Sequence, residues 1–176
     1  MVLSSDAVRA KAALGFVEAF MTLPGGGYAN AVRGEVELAD GRIEEGFSYF
    51  AKDDAGRRAA GLPSVDRRVF AGPNADMARA VLRSRAATAA QKAHARRTLD
   101  FVWTRLVKDG KVSRTAGGLD DWPPDQWAVI EAELAAGRPE RARKIFARQD
   151  TPALRALGPN VYADTLRARL GLTRKK

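Results

Sequence analysis

Residues 73–119 read PNADMARAVLRSRAATAAQKAHARRTLDFVWTRLVKDGKVSRTAGGL, and this stretch decides the reading of the fold. Gly72-Pro73-Asn74 is a break followed by a cap. Asn74 is expected to accept from the first free backbone N–H groups, and Asp76 suits the positive end of the helix dipole. Met77, Ala78, Val81 and Leu82 then recur at helical spacing, with Arg79 and Arg83 off that face. Thr88-Ala89-Ala90-Gln91 has the form of a capping box, threonine at the cap and glutamine three residues on. The helix it opens is predicted to run to Lys108, with Gly110 as its stop.

On that second helix Ala95, Leu99, Val102, Trp103, Leu106 and Val107 share one broad arc. His94, Arg97, Phe101, Arg105 and Lys108 occupy the opposite arc, and Lys92 and Arg96 fall near the apolar one in the first turns. Lys111-Val112-Ser113-Arg114-Thr115 is expected as a strand, Ala116-Gly117-Gly118 as a turn, and Leu119 onward as the return strand. Helix, short turn, helix and basic hairpin is the outline of a winged helix-turn-helix, although the second helix exceeds the usual length of a recognition helix. A plainer reading of the same pattern is an amphipathic core helix whose outer face is charged because it is wet. Phe101 among cations is the feature that favours binding, since an aromatic ring there suits stacking on a base, although it suits packing under a neighbouring helix equally well.

Charge is distributed in the same sense. The chain of 176 residues carries a net charge of +9. Residues 61–118 hold twelve Lys/Arg against four Asp/Glu, whereas residues 1–60 hold seven against nine and residues 119–176 eleven against eight. Such a field favours a polyanion: DNA, RNA or an acidic protein surface. The absence of cysteine removes disulfides, thiolate metal sites and cysteine nucleophiles, and a single histidine removes a multi-histidine metal site within one chain. A Ser-His-Asp system would have to use His94, which lies among Lys92, Arg96 and Arg97 with no carboxylate one turn away to orient it. The expectation is therefore a surface histidine, no cofactor and no metal. No secretory segment and no apolar run long enough for a membrane span is present, so a soluble, cytoplasmic protein of bacterial or phage style, without membrane partners, is expected.

The rest of the chain is read outward from this centre. Residues 6–22 form a helix with Val8, Ala12, Phe16, Val17 and Phe20 on a packing face, ended by Leu23-Pro24 and the triple glycine Gly25-Gly26-Gly27. The glycines lack the Lys-Ser/Thr of a phosphate-binding loop, so they read as a flexible connector. Glu35-Val36-Glu37-Leu38, the turn pair Asp40-Gly41, and Arg42 to Phe50 read as a β-hairpin with Gly46 as a bulge. Val36, Leu38 and Ile43 would share its inner face, and Glu35, Glu37, Glu44 and Glu45 its outer one. Surface alternation explains those carboxylates without acid–base or metal chemistry. Their sign also complements residues 61–118, within one molecule or between copies in a homo-oligomer.

The polar Lys52–Ser64 stretch is the best boundary, and residues 65–71 read as a short strand or extended linker with Arg67 and Arg68 exposed. Beyond Leu119, Pro124 and Asp125 open a helix carrying Trp127, Ile130, Glu131 and Leu134, stopped by Gly137. Trp122 and Trp127 are expected as core or interdomain anchors. The next helix has Ile145 and Phe146 on one side and Arg141, Arg143, Lys144 and Arg148 on the other. A short helix from Thr151 to Leu157, a stop at Gly158-Pro159, a last helix capped by Asn160 with Val161, Leu166, Leu170 and Leu172 apolar, and a basic tail Arg174-Lys175-Lys176 complete the chain.

The fold expected is thus mainly α with a small β component, in three stretches. These are 1–60, helix plus acidic hairpin; 61–118, the basic helix-turn-helix-like core; and 119–176, a short helical unit, the three together also readable as one domain. The function expected is non-enzymatic nucleic-acid binding, DNA more than RNA, as in a small regulator. Lys92, Arg97, Arg105, Lys108, Lys111 and Arg114 would lie on phosphates with Phe101 or His94 nearer the bases, and Arg141, Arg143, Lys144 and Arg148 would widen the footprint. The alternative is a protein–protein interaction module: an adaptor, an inhibitor or an assembly protein of a mobile element.

Overall fold

The structure, a computed structural model, describes residues 5–61, 63–118, 122–149 and 161–172, without the side chains of Ser5, Asp54, Val161 and Tyr162. It is mainly α, with small antiparallel sheets of two strands each. The chain divides into two compact units, one holding Tyr28–Val69 and the chain up to Pro24, the other holding Gly25–Gly27 and everything from Phe70 on.

In the first unit, helix α1 spans Ser5–Phe16 and continues through a π-helical turn, Val17–Met21. Its expected packing face stays open: Val8, Phe16 and Phe20 are all exposed. Strand β1 (Ala31–Val32) pairs with β4 (Val65–Asp66), and β2 (Val36–Glu37) with β3 (Ile43–Glu44). The β2–β3 turn is Asp40-Gly41 as the sequence predicts, with Gly41 at φ 80°. The register, however, puts Val36 opposite Glu44 and Glu37 opposite Ile43. Val36 is therefore buried while Ile43 is exposed, so the two do not share an inner face. Glu44 lies on the Val36 side, where Lys52 Nζ meets it at 2.9 Å.

The second strand also stops early. Gly46–Ala51 is helix α2, not strand, and Gly46 is no bulge. A Cβ at Gly46 would lie 2.5 Å from the Gly34 carbonyl oxygen, so glycine is required where the helix starts against that backbone. Tyr49 alone of this run reaches the core, donating its hydroxyl to the Gly61 carbonyl at 2.9 Å, while Phe47 and Phe50 point outward. The polar boundary contains helix α3 (Asp54–Ala60), capped by the Asp53 carboxylate, which accepts from Gly56 N–H at 2.7 Å.

The second unit is a helical cluster. Helix α4 (Ala71–Arg83) packs on α5 (Ala89–Leu106) and on α6 (Pro123–Ala135), and α7 (Pro139–Gln149) packs on α6; α8 spans Val161–Arg169. Ala71, Ala75, Ala78 and Val81 of α4 are buried, as are Leu99 and Val102 of α5, Ile130 of α6, Ile145 and Phe146 of α7 and Leu166 of α8. The alanine face lets α4 approach closely, and the branched and aromatic side chains fill the space between the other helices.

Helix α4 begins earlier than the sequence predicts. Asn74 lies inside its first turn and donates its side-chain amide to the Phe70 carbonyl at 2.9 Å, so it is not the cap. The free N–H groups are satisfied elsewhere. Ala71 N–H donates to the Arg114 carbonyl at 2.9 Å, Gly72 N–H to the Asp125 carboxylate, and Pro73 has no N–H to satisfy. Asp125, at the start of α6, thus caps α4 across the helix pair.

The capping box of α5 is present in full: Thr88 accepts from Gln91 N–H at 3.2 Å and the Gln91 side chain accepts from Thr88 N–H at 2.9 Å. Helix α5 ends two residues before the predicted Lys108. Val107–Lys108 is strand β5, pairing with β6 (Lys111–Val112) around Asp109-Gly110. Both turn residues have positive φ, 52° and 79°, which is the two-residue turn that Asp-Gly favours. Gly110 is thus a turn residue, not a helix stop. The predicted return strand from Leu119, the Thr151–Leu157 helix, the Gly158-Pro159 stop, the Asn160 cap and the Arg174–Lys176 tail lie outside the described residues.

Gln126 ties the hairpin to α6. Fully buried, it accepts from Val112 N–H at 3.2 Å and donates to the Val112 carbonyl at 2.9 Å, which extends the ladder by one side chain. Trp127 is half-buried with its ring 6.3 Å from that of Phe146, as expected of an anchor, but Trp122 is exposed under Arg114 at 5.9 Å.

Candidate nucleic-acid interface

The outer face of α5 is built from the same helical spacing that buries Leu99 and Val102 on its inner face. Arg97, Arg105 and Lys108 are exposed, Phe101 and His94 half-buried, and Lys92 half-buried in the first turn. The sequence treats this face as open. In the structure Gly25–Gly27 lies across it. Gly27 N–H donates to Thr98 Oγ1 at 3.3 Å, and the Gly27 carbonyl sits 3.1 Å from His94 Nε2.

The glycines are therefore fixed, not a loose connector. Gly26 and Gly27 have φ of 93° and 92°, and a Cβ at Gly26 would lie 3.3 Å from both the Arg97 carbonyl oxygen and Phe101 Cβ. Only glycine allows the backbone this close to the helix. His94 has its second ring nitrogen 3.5 Å from Arg97 Nη2, so the ring is oriented by a carbonyl and a guanidinium.

The cations sort into two sets. Arg138 makes a bidentate pair with Asp100, Nη1 to Oδ1 at 2.7 Å and Nη2 to Oδ2 at 3.1 Å, and Arg141 adds Nη1 to Oδ1 at 2.8 Å. Arg141 also reaches Glu133 at 3.5 Å and lies over the Trp103 ring at 4.9 Å. Burial pushes the Asp100 carboxyl up, but the two guanidiniums outweigh it and the net shift is downward, so Asp100 is an anion at neutral pH. Glu133 is fully buried, its Oε2 accepts no hydrogen bond although Arg138 Nη1 stands 3.8 Å away, and burial raises its carboxyl to about 7 against the opposing pull of Arg141 and Arg138. Arg141, assigned to the footprint by sequence, is thus engaged inside the protein.

Arg143, also on α7, donates Nε to the Leu170 carbonyl at 3.0 Å and helps close the end of α8. Arg114 lies 5.8 Å from the Phe70 ring centre and 5.9 Å from that of Trp122, at the base of α4. Lys111 faces Lys108 across the β5–β6 pair. The Lys144 carbonyl is 2.6 Å from where a Gly110 Cβ would stand, and its Nζ is 6.0 Å from the Trp103 ring centre. Lys108, Lys111 and Lys144 therefore gather around one turn, with exposed Arg148 one helical turn further along α7. Among the described residues Lys92, Arg97, Arg105, Lys108, Lys144 and Arg148 form no ion pair.

Beside Phe101 a surface hollow of about 370 Å³ is lined by Gly25, Arg97, Asp100, Phe101, Thr104 and Arg105. Sequence reasoning missed Asp100, Arg138 and Glu133, and the Gly25–Gly27 crossing. Each depends on partners far apart in the chain, and no local pattern announces them. The one local signal was the odd acidic residue, Asp100, in an otherwise basic helix. Comparison with protein families, with curated proteins and with solved structures finds no match for this chain.

Proposed function

We propose that this chain is a non-enzymatic nucleic-acid-binding protein, a small regulator of bacterial or phage type that acts in the cytoplasm and prefers DNA to RNA. Its phosphate contacts come from the outer cations of α5, the β5–β6 turn and α7. The observation that carries this reading is the sorting of charge. Arg79, Arg138, Arg141, Arg167 and Arg169 pair with carboxylates of the second unit, whereas among the described residues Lys92, Arg97, Arg105, Lys108, Lys144 and Arg148 form no ion pair, and neither do Arg83, Arg85, Arg96, Arg114 and Arg143. Charges retained on a surface without internal partners repel one another, and a polyanion relieves that repulsion.

From Lys92 to Arg105 the stripe covers about 20 Å at the helical rise of about 1.5 Å per residue, and Lys108 continues it on β5. About six phosphate contacts give a log–log salt slope of roughly −5 on duplex DNA. Replacing Arg105 and Lys108 together by alanine should flatten that slope by about two units and weaken all sequences alike. An unchanged slope in the double variant would overturn the assignment of this face.

A second reading, a protein-interaction module, is favoured by the first unit. There Phe16, Phe20, Ile43, Phe47 and Phe50 are exposed, with the Phe16 and Phe20 rings 5.1 Å apart. It predicts capture of one protein that survives high salt, with DNA binding that does not. No helix among the described residues is long and apolar enough to cross a membrane.

A further inference from the structure

We propose that the hollow beside Phe101 is a pocket for one unpaired nucleobase that carries an exocyclic amino group, so that this face selects a single strand over a closed duplex. The proposal rests on the nucleic-acid reading above and gives its substrate class.

Three features of the hollow converge on that ligand. Phe101 lines it, and the Gly26 backbone passes so close to this part of α5 that a Cβ at Gly26 would lie 3.3 Å from Phe101 Cβ. Asp100 also lines it, and its side chain keeps 47% of its surface exposed although two arginines hold it. Oδ1 accepts from both Arg138 and Arg141, whereas Oδ2 accepts only from Arg138, at 3.1 Å, so it retains capacity for another donor. The rim carries Arg97 and Arg105, one turn on either side of Phe101, about 6 Å away each along the axis. Both are exposed and neither forms an ion pair among the described residues.

Stacking surface, a fixed anionic acceptor and a cation on each side match the parts of a nucleotide in a strand: π-face, amino edge and flanking phosphates. A closed duplex offers neither the face of a base nor its pairing edge. An acidic peptide is disfavoured, because Asp100 would face its carboxylates. At about 370 Å³ the hollow falls within the size range of small-ligand sites. Cytosine, adenine and guanine each present an amino group to Asp100, whereas thymine presents carbonyl oxygens on either side of its single N–H.

The test is fluorescence anisotropy on the full chain with labelled oligo-dC, oligo-dT and a mixed-sequence duplex, for the wild type and for Phe101→Leu. Leucine keeps an apolar side chain of helical preference and loses the ring, and a thermal melt checks that the variant folds. The wild type should prefer oligo-dC to both other probes. Phe101→Leu should weaken oligo-dC binding about tenfold, the loss of one base–aromatic stack, and leave the duplex affinity within a factor of about two. Equal losses on single strand and duplex, no loss on either, or tighter binding to oligo-dT than to oligo-dC would overturn the pocket while leaving the phosphate-binding reading in place. A wild-type chain that binds none of the three probes overturns both.

Discussion

Replacing Glu133 by glutamine should alter how stability depends on pH more than stability itself. In the folded chain burial raises this carboxyl from 4.5 to about 7, although Arg141 and Arg138 pull the other way. The unfolded chain ionises near the ordinary value. Between the two, the folded state holds a proton that the unfolded state has released, so stability falls as pH rises through that window and levels off above about 7. The shift of roughly 2.5 units corresponds to about 3 kcal/mol. Glutamine fills nearly the same volume and does not titrate, so its variant lacks this fall. Urea unfolding of both proteins at pH 4.5 and pH 8 isolates the effect, because contributions independent of pH cancel in the comparison. The variant should gain about 3 kcal/mol relative to the wild type between those pH values, or roughly 10 °C in melting temperature. A stability difference that is the same at both pH values would refute the claim that Glu133 is buried at the cost of its charge.

Three further substitutions test the frame that carries the basic face. Gln126→Leu strands the Val112 N–H and carbonyl in the core, and chemical denaturation should show a loss of about 3 kcal/mol, two orphaned groups together. Gly110→Ala imposes a side chain at φ 79° and 2.6 Å from the Lys144 carbonyl, so the loss of thermal stability should exceed the roughly 1 kcal/mol typical of an exposed turn glycine. Thr88→Ala breaks the capping box and should lower stability by about 1 kcal/mol in a thermal melt.

What the sequence made legible was local. The capping box, the buried arc of α5 and the Asp40-Gly41 turn all rest on residues within a few positions of one another, and all are found. The Asp109-Gly110 turn carried the same signal, but the apolar arc running on through Leu106 and Val107 masked it as a continuing helix. The Gly46–Phe50 run has the composition of a strand, yet close approach to Gly34 and the single buried Tyr49 make it a helix. At the candidate site, exposure of Arg105, Lys144 and Arg148 followed from helical spacing. Engagement of Arg141 by Asp100 did not, because that pair spans 41 positions. Nor did the seating of Gly27 against Thr98 and His94, since glycine carries no side chain whose pattern announces a partner.

The central claim is that the unpaired cations of the second unit grip a nucleic-acid backbone. It is tested most directly by anisotropy with duplex and single-stranded probes titrated across salt. The account predicts sub-micromolar affinity for at least one probe near physiological salt and a log–log slope of roughly −5 on duplex DNA. Binding that disappears at physiological salt on every probe would contradict it and leave the basic face as solvated surface.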